Sequence, residues 1–159
     1  MSRATAFIEQ PYTFHIVADL TAPRPVIWRF WTDAQLLKRW FCPEPWKVAA
    51  ATIEPHPGGA FDTVFEGPNG ERADNKGQFI EVEAGLWLVF GNAPGDGGSP
   101  VQMTSFVELI DTEMGGTKMI WGAVHADEAA MQAHLDMGME AGWKTAAAQL
   151  DALSAGMMP

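Results

Sequence analysis

Pro57-Gly58-Gly59-Ala60-Phe61-Asp62-Thr63-Val64-Phe65-Glu66-Gly67-Pro68-Asn69-Gly70 decides how the chain folds. Two clusters of turn residues bracket a run in which Phe61, Thr63 and Phe65 alternate with Asp62, Val64 and Glu66, the period of a strand with one face against a core. Asn69-Gly70 between extended runs signals a hairpin, because both residue types tolerate the positive φ angles of a type I′ turn. The same alternation of short runs and turn chemistry continues outward on both sides. It predicts strands at about 47–54, 60–66, 72–83, 86–91, 101–110 and 117–125, separated by Pro57-Gly58-Gly59, Pro68-Asn69-Gly70, the glycine-rich stretch 91–100 and Gly115-Gly116. Such a run of strands without intervening helices is an antiparallel meander.

Outside this meander the period changes. Residues 12–20 alternate, with Tyr12, Phe14, Ile16, Ala18 and Leu20 on one side, and predict a first strand. Thr21-Ala22-Pro23 then starts a short helix with an apolar stripe of Val26, Ile27, Phe30 and Trp31. Thr32-Asp33 caps a second one carrying Leu36, Leu37 and Trp40, which Pro43 and Pro45 end. At the other end of the chain, Met131, Leu135, Met139, Gly142, Trp143, Ala146, Leu150 and Leu153 recur mostly at spacings of three and four, predicting one long helix over 127–154. Asp127 and Glu128 suit its first turn and Gly156 its end. Gly142 is expected to let this helix approach or bend toward the sheet beside Trp143, since an interior helix glycine costs about 1 kcal/mol relative to alanine. The elements together describe an α+β domain in which 1–159 form a single unit with its core over about 12–154.

Composition removes several functions. With 47% hydrophobic and 19% charged residues the chain is too apolar for disorder, yet no run of about 18 apolar residues is present to span a bilayer. Twenty acidic against ten basic residues give a formal net charge of −10, which disfavours nucleic acid and anionic membrane surfaces as partners. Cys42 is the only cysteine and no apolar signal segment opens the chain, so a cytoplasmic setting is expected.

Common catalytic signatures are missing: there is no Cys-x-x-Cys, His-Glu-x-x-His or Gly-x-Ser-x-Gly. Gly142-Trp143-Lys144-Thr145 resembles the end of a phosphate loop, but it lies inside a helix instead of opening one. His15, His56, His125 and His134 match no metal-binding spacing, so neither a metal nor a cofactor is expected. Cys42 reads as a buried thiol, and Glu66, Glu81, Glu83 and Glu108, spread over different strands of the meander with Glu81 and Glu83 on the same one, as solvated carboxylates. The distinctive feature is seven Trp, nine Phe and nine Met in so small a domain. Strand alternation puts Phe61, Thr63 and Phe65 together, Leu88 with Phe90, Val101 with Met103 and Ser105, and Met119 with Trp121, all able to face the last helix. Broad apolar surfaces with adaptable packing suit a ligand cavity. Its candidate lining is Trp40, Trp46, Phe61, Phe65, Phe90, Met103, Trp121, Leu135, Met139 and Trp143.

The opening Ala22-Pro23…Val26-Ile27-Trp28-Arg29-Phe30-Trp31-Thr32-Asp33…Trp40 resembles that of bacterial proteins called heat-shock-protein-90 ATPase activator homologue-like, a branch of the START/SRPBCC superfamily. Glu54-Pro55-His56-Pro57-Gly58-Gly59, Pro68-Asn69-Gly70, Gly77-Gln78-Phe79-Ile80-Glu81-Val82 and Met139-Glu140-Ala141-Gly142-Trp143 with Leu150 continue the resemblance in order. It implies a helix-grip fold: a curved antiparallel sheet of about seven strands, two short helices after the first strand, and the long C-terminal helix in the concave face. His56 and Ala18 stand where the family tends to carry arginine, so the pocket has fewer fixed cations and suits an apolar or neutral ligand better than a carboxylate. The expected function is binding or sequestering a small hydrophobic or aromatic molecule, with binding favoured over catalysis. A polyketide cyclase or dehydratase using the same cavity is the first alternative, and a protein-interaction module or homodimer related to co-chaperones is the second.

Overall fold

The computed structural model describes residues 2–93 and 103–156. The elements run α1 (Ala4–Ile8), β1 (Thr13–Leu20), α2 (Arg24–Thr32), α3 (Ala34–Leu37), β2 (Lys47–Ile53), β3 (Phe61–Glu66), β4 (Arg72–Asn75), β5 (Gly77–Glu83), β6 (Trp87–Asn92), β7 (Met103–Asp111), β8 (Thr117–His125), α4 (Glu128–Asp136) and α5 (Met139–Ala155). All strand pairs are antiparallel, in one sheet of order β1-β8-β7-β6-β5 and another of order β2-β3-β4. The expected α+β helix-grip architecture is therefore present, with differences in detail. Val101 and most of the glycine-rich stretch lie outside the described residues.

The stretch expected as one strand over 72–83 is two strands, one in each sheet. Gly77 marks the division because a Cβ there would stand 2.5 Å from the Phe61 carbonyl oxygen, so the chain passes too close to β3 for a side chain. The sheets meet at a seam. There the Gly58 N–H donates to the Phe79 carbonyl at 2.9 Å, the Phe79 N–H donates to the Gly59 carbonyl at 2.9 Å, and the Gly77 N–H donates to Asp62 Oδ1 at 3.1 Å. The hairpin at Pro68-Asn69-Gly70 exists, but its turn is longer than a type I′ turn. Glu66 pairs with Arg72 across the loop 67–71, and Gly70 alone in it has a positive φ, at 87°.

Between the first and second strands, α2 and α3 form where the caps were expected, although Pro23 and not Thr21 precedes the first helical residue. Asp33 caps α3 by accepting from the Gln35 and Leu36 N–H groups at 2.9 and 3.3 Å. The C-terminal helix is interrupted. Gly138 adopts φ 82°, a left-handed conformation that glycine reaches without steric cost, and separates α4 from α5. The expected bend at Gly142 therefore falls four residues earlier, and Gly142 itself sits in regular helix with its nearest foreign atom, Pro43 Cγ, 3.5 Å from an added Cβ.

Alternation along the strands builds two cores. Leu88, Phe90, Val107, Leu109, Met119 and Trp121 face inward with Phe61 and Phe79 and pack with Ile27, Phe30, Trp31 and Trp40 against Ala146, Ala147 and Leu150 of α5. Trp87, Val89, Phe106 and Ile120 point to the opposite face, where α1 covers them with Ala4, Phe7 and Ile8. Neither α1 nor this second core is among the elements that the sequence periodicity predicts. Glu108 holds α1 in place by accepting hydrogen bonds from the Ser2 hydroxyl and from the backbone N–H groups of Arg3 and Ala4, the last at 3.0 Å. Two of the carboxylates expected to be solvated thus serve α1, for Glu83 pairs with Arg3.

Candidate functional site

Aromatic rings fill the space between the main sheet and α5. Trp31 from α2 and Trp40 from the turn after α3 meet edge to face at 4.8 Å, and both reach Trp121 of β8, at 5.3 and 5.9 Å. Their indole nitrogens are satisfied within the fold: Trp40 Nε1 donates to the Phe30 carbonyl at 2.9 Å and Trp31 Nε1 to the Met119 sulfur at 3.4 Å. Phe61 of β3 stacks on Phe90 of β6 at 4.0 Å and 12°, joining the two sheets through their side chains. Phe41 links this pair to the tryptophans, with ring centroids 5.6 Å from Phe61 and 5.9 Å from Trp121. On the helix side Trp143 of α5 stacks on Trp121 at 4.2 Å with planes only 7° apart, while Phe14 stands edge-on to it at 6.1 Å.

Of the residues expected to line a cavity, Trp40, Phe61, Phe90, Trp121 and Trp143 therefore belong to one continuous cluster. Phe65 touches it through Phe41 at 6.1 Å. Met139 is buried as the first residue of α5, and Leu135 and Met103 are half-buried at the same end, Met103 being paired in register with His125. Trp46 is half-buried and shares no ring contact with the cluster among the described residues. Trp31, Phe41 and Phe14, absent from the expected lining, are as central as those named. Trp31 was visible as a helix-stripe residue, but nothing in the local pattern told it from an ordinary core residue.

A polar pair borders the aromatic wall. His125 at the end of β8 is buried, and its Nε2 lies 2.9 Å from Nδ1 of His134 on α4. The His134 ring stands nearly perpendicular to Trp143 at 5.9 Å. Burial, and then the neighbouring His125, hold the His134 imidazole down to about 4, so it is neutral at physiological pH. The other buried polar residues among those described are Thr63, Ser105, Thr117 and Ser154, none of them charged. Cys42 is also buried, which pushes its thiol up to about 11 and leaves it protonated and unreactive at neutral pH. No group of three or more His, Cys, Asp or Glu side chains placed to share a metal occurs among the described residues.

Two clefts open to solvent lie away from this interior. One, of about 240 Å³, follows the seam between the sheets past Glu54, Asp62, Lys76 and Gln78. The other, of about 590 Å³, lies at the α4–α5 junction against Leu135, Gly138, Ala141 and Lys144. No described helix is long and apolar enough to cross a membrane.

Two antiparallel sheets packed against a C-terminal helix, two short helices after the first strand and an aromatic interior define a START-like helix-grip domain. Within that class, residues 21–155 match the family described as activator of Hsp90 ATPase homolog 1-like protein, and the chain belongs to it. Among solved structures it is similar to a protein from Nitrosomonas europaea, with 29% identity over 93% of this chain and 97% of the other and a TM-score of 0.84. A protein from Arthrobacter aurescens shares 31% identity over 91% of this chain and 87% of its own, with a TM-score of 0.82. A protein from Aeromonas hydrophila described as AHSA1-like shares the fold at 22% identity, covering 92% and 95% of the two chains with a TM-score of 0.72. No curated protein matches the chain significantly.

Proposed function

We propose that the protein binds a small hydrophobic or aromatic molecule between its main sheet and the C-terminal helices, with α4 as the cover. The observation that carries this reading is the parallel stack of Trp143 on Trp121 at 4.2 Å beneath a helix that has no fully buried residue. A planar ligand gains the same kind of stack against an indole face, and Trp143, which His134 of α4 borders at 5.9 Å, offers one when α4 shifts. Room for it comes from moving α4 about Gly138, an exposed joint with nothing within 4 Å of an added Cβ. An element with few buried contacts opens at low cost, as binding lids do. The absence of buried charge among the described residues supports a neutral ligand, since an unpaired carboxylate would lose its hydration without compensation. A buried unpaired thiol suits a reducing cytoplasm.

Native mass spectrometry of the purified protein is the direct test. Retention of a small organic molecule, or tryptophan quenching by naphthalene-type probes that is lost in Trp121→Ala, supports the reading. A bare polypeptide mass together with no quenching across a panel of neutral aromatics defeats it.

A further inference from the structure

Tyr12 is the one described non-glycine residue with a positive φ, at 61°, a conformation uncommon for side-chain-bearing residues. It sits immediately before β1, and its carbonyl oxygen accepts from the backbone N–H of His125 at 3.1 Å and contacts the His125 ring Nδ1 at 2.9 Å. A carbonyl only accepts, so Nδ1 of His125 carries a hydrogen, and in the uncharged tautomer that this contact selects the Nε2 is an acceptor. The nitrogen facing it at 2.9 Å, Nδ1 of His134, then carries the hydrogen between the two rings. Both imidazoles are fixed as Nδ1–H tautomers by the network, and the chain ends on a bare Nε2 of His134. That atom has no hydrogen-bonding partner among the described residues, and it is not among the polar atoms sealed from solvent.

We infer that Nε2 of His134 is the polar anchor of the ligand site, accepting a hydrogen bond from a hydroxyl or N–H group on an aromatic ligand. The inference rests on the binding function proposed above and adds the ligand class: phenols, naphthols or indoles in preference to molecules of the same size that offer only acceptors. The geometry places this acceptor one ring from the stacking surface, since His134 stands edge-on to Trp143 and Trp143 lies on Trp121. A group that offers only lone pairs meets a lone pair there and gains nothing. The depressed basicity of His134 decides between accepting a hydrogen bond and taking a proton. A group that titrates near 4 holds too little of the proton at neutral pH to serve as an efficient general base, so the pair recognises the donor and leaves it protonated.

The test compares 2-naphthol with 2-methoxynaphthalene, which keeps the rings and caps the donor, on wild type, His134→Phe and Trp121→Ala. Wild type is expected to bind 2-naphthol about tenfold more tightly, the upper end of what one net hydrogen bond is worth. His134→Phe is expected to bring the two probes within about twofold while binding of the methoxy compound persists. Equal affinity of both probes for wild type overturns the anchor and leaves the binding function standing. Failure of both probes to bind overturns the anchor and, together with a bare polypeptide mass and no quenching across the wider panel, the binding function as well. A measurement that needs no variant is the long-range ¹H–¹⁵N spectrum of the histidine rings at neutral pH. Both rings as Nδ1–H tautomers, with the His134 Nε2 signal moving on addition of 2-naphthol, supports the inference. A hydrogen on His134 Nε2 overturns it.

Discussion

Gly122 and Gly142 carry opposite expectations for the same substitution. An added Cβ at Gly122 would stand 2.3 Å from Phe106 Cζ and 2.8 Å from the Phe14 carbonyl oxygen, in the middle of β8 with the sheet on both sides. Gly122→Ala therefore forces Phe106 from its place and is expected to destabilise by about 1–3 kcal/mol, read as a lower denaturant midpoint at unchanged slope. At Gly142 the added methyl meets only Pro43 Cγ, at an ordinary 3.5 Å, and the helix gains about 0.5–1 kcal/mol of propensity, so Gly142→Ala is expected to raise Tm by a few degrees. A lowered Tm would show that α5 needs the close approach after all. His134 sets a pH dependence. Its folded-state value of about 4 lies below the ordinary 6.5, so between those values the unfolded chain binds more protons than the folded one. Stability from this group is full above about pH 6.5 and falls on acidification toward 4; the slope of Tm against pH across that window is expected to flatten in His134→Phe.

At the scale of elements, α1 and α4 are both short and both amphipathic, but they are held differently. Phe7 of α1 packs on Trp87 and Phe106 at 5.5 and 5.1 Å, and the Glu108 carboxylate binds its first turn from β7. Removing residues 2–10 uncovers Trp87, Val89, Phe106 and Ile120. The truncated protein is expected to lose a few kcal/mol and to gain dye binding or self-association on that face, whereas Glu108→Gln, which keeps the shape and weakens the charge-assisted bonds, is expected to cost about 1 kcal/mol. By contrast, α4, capped by Asp127, whose carboxylate accepts the Ala130 N–H at 2.8 Å, is held to the sheet by the His125–His134 contact at 2.9 Å and by half-buried side chains. Its amides are expected to exchange with deuterium well before those of α5 and to become protected when an aromatic ligand binds. Equal protection of α4 and α5 in the free protein would argue against α4 as a cover.

At the scale of the molecule, the two sheets share one interior. Phe61 comes from the three-stranded sheet, Phe90 from the five-stranded one, and their stack at 4.0 Å is continued through Phe41 to Trp121 and α5. Phe61→Ala is expected to cost about 3–5 kcal/mol and to lower the far-UV circular dichroism and tryptophan-fluorescence midpoints together, since no boundary in the core separates the sheets. Separate midpoints would mean that the sheets unfold independently. Much of this architecture was legible in the order of residues. The alternation of Phe61, Thr63 and Phe65, the Asp33 cap and the helical spacing ending at Leu153 are set by neighbours a few positions apart, and they specified strands, short helices and the inward faces of Leu88, Phe90, Met119 and Trp121. The division at Gly77 and the break at Gly138 were not legible, because a glycine in a periodic run signals neither the backbone that passes beside it nor the sign of its φ. Nor were the covering of the outer face by α1, the joining of His125 to His134, or the placing of Trp143 on Trp121. Those depend on which surfaces meet after the sheet has curved and the helices have docked, and the pattern along the chain records that a residue is apolar or polar but not which distant side chain will stand against it.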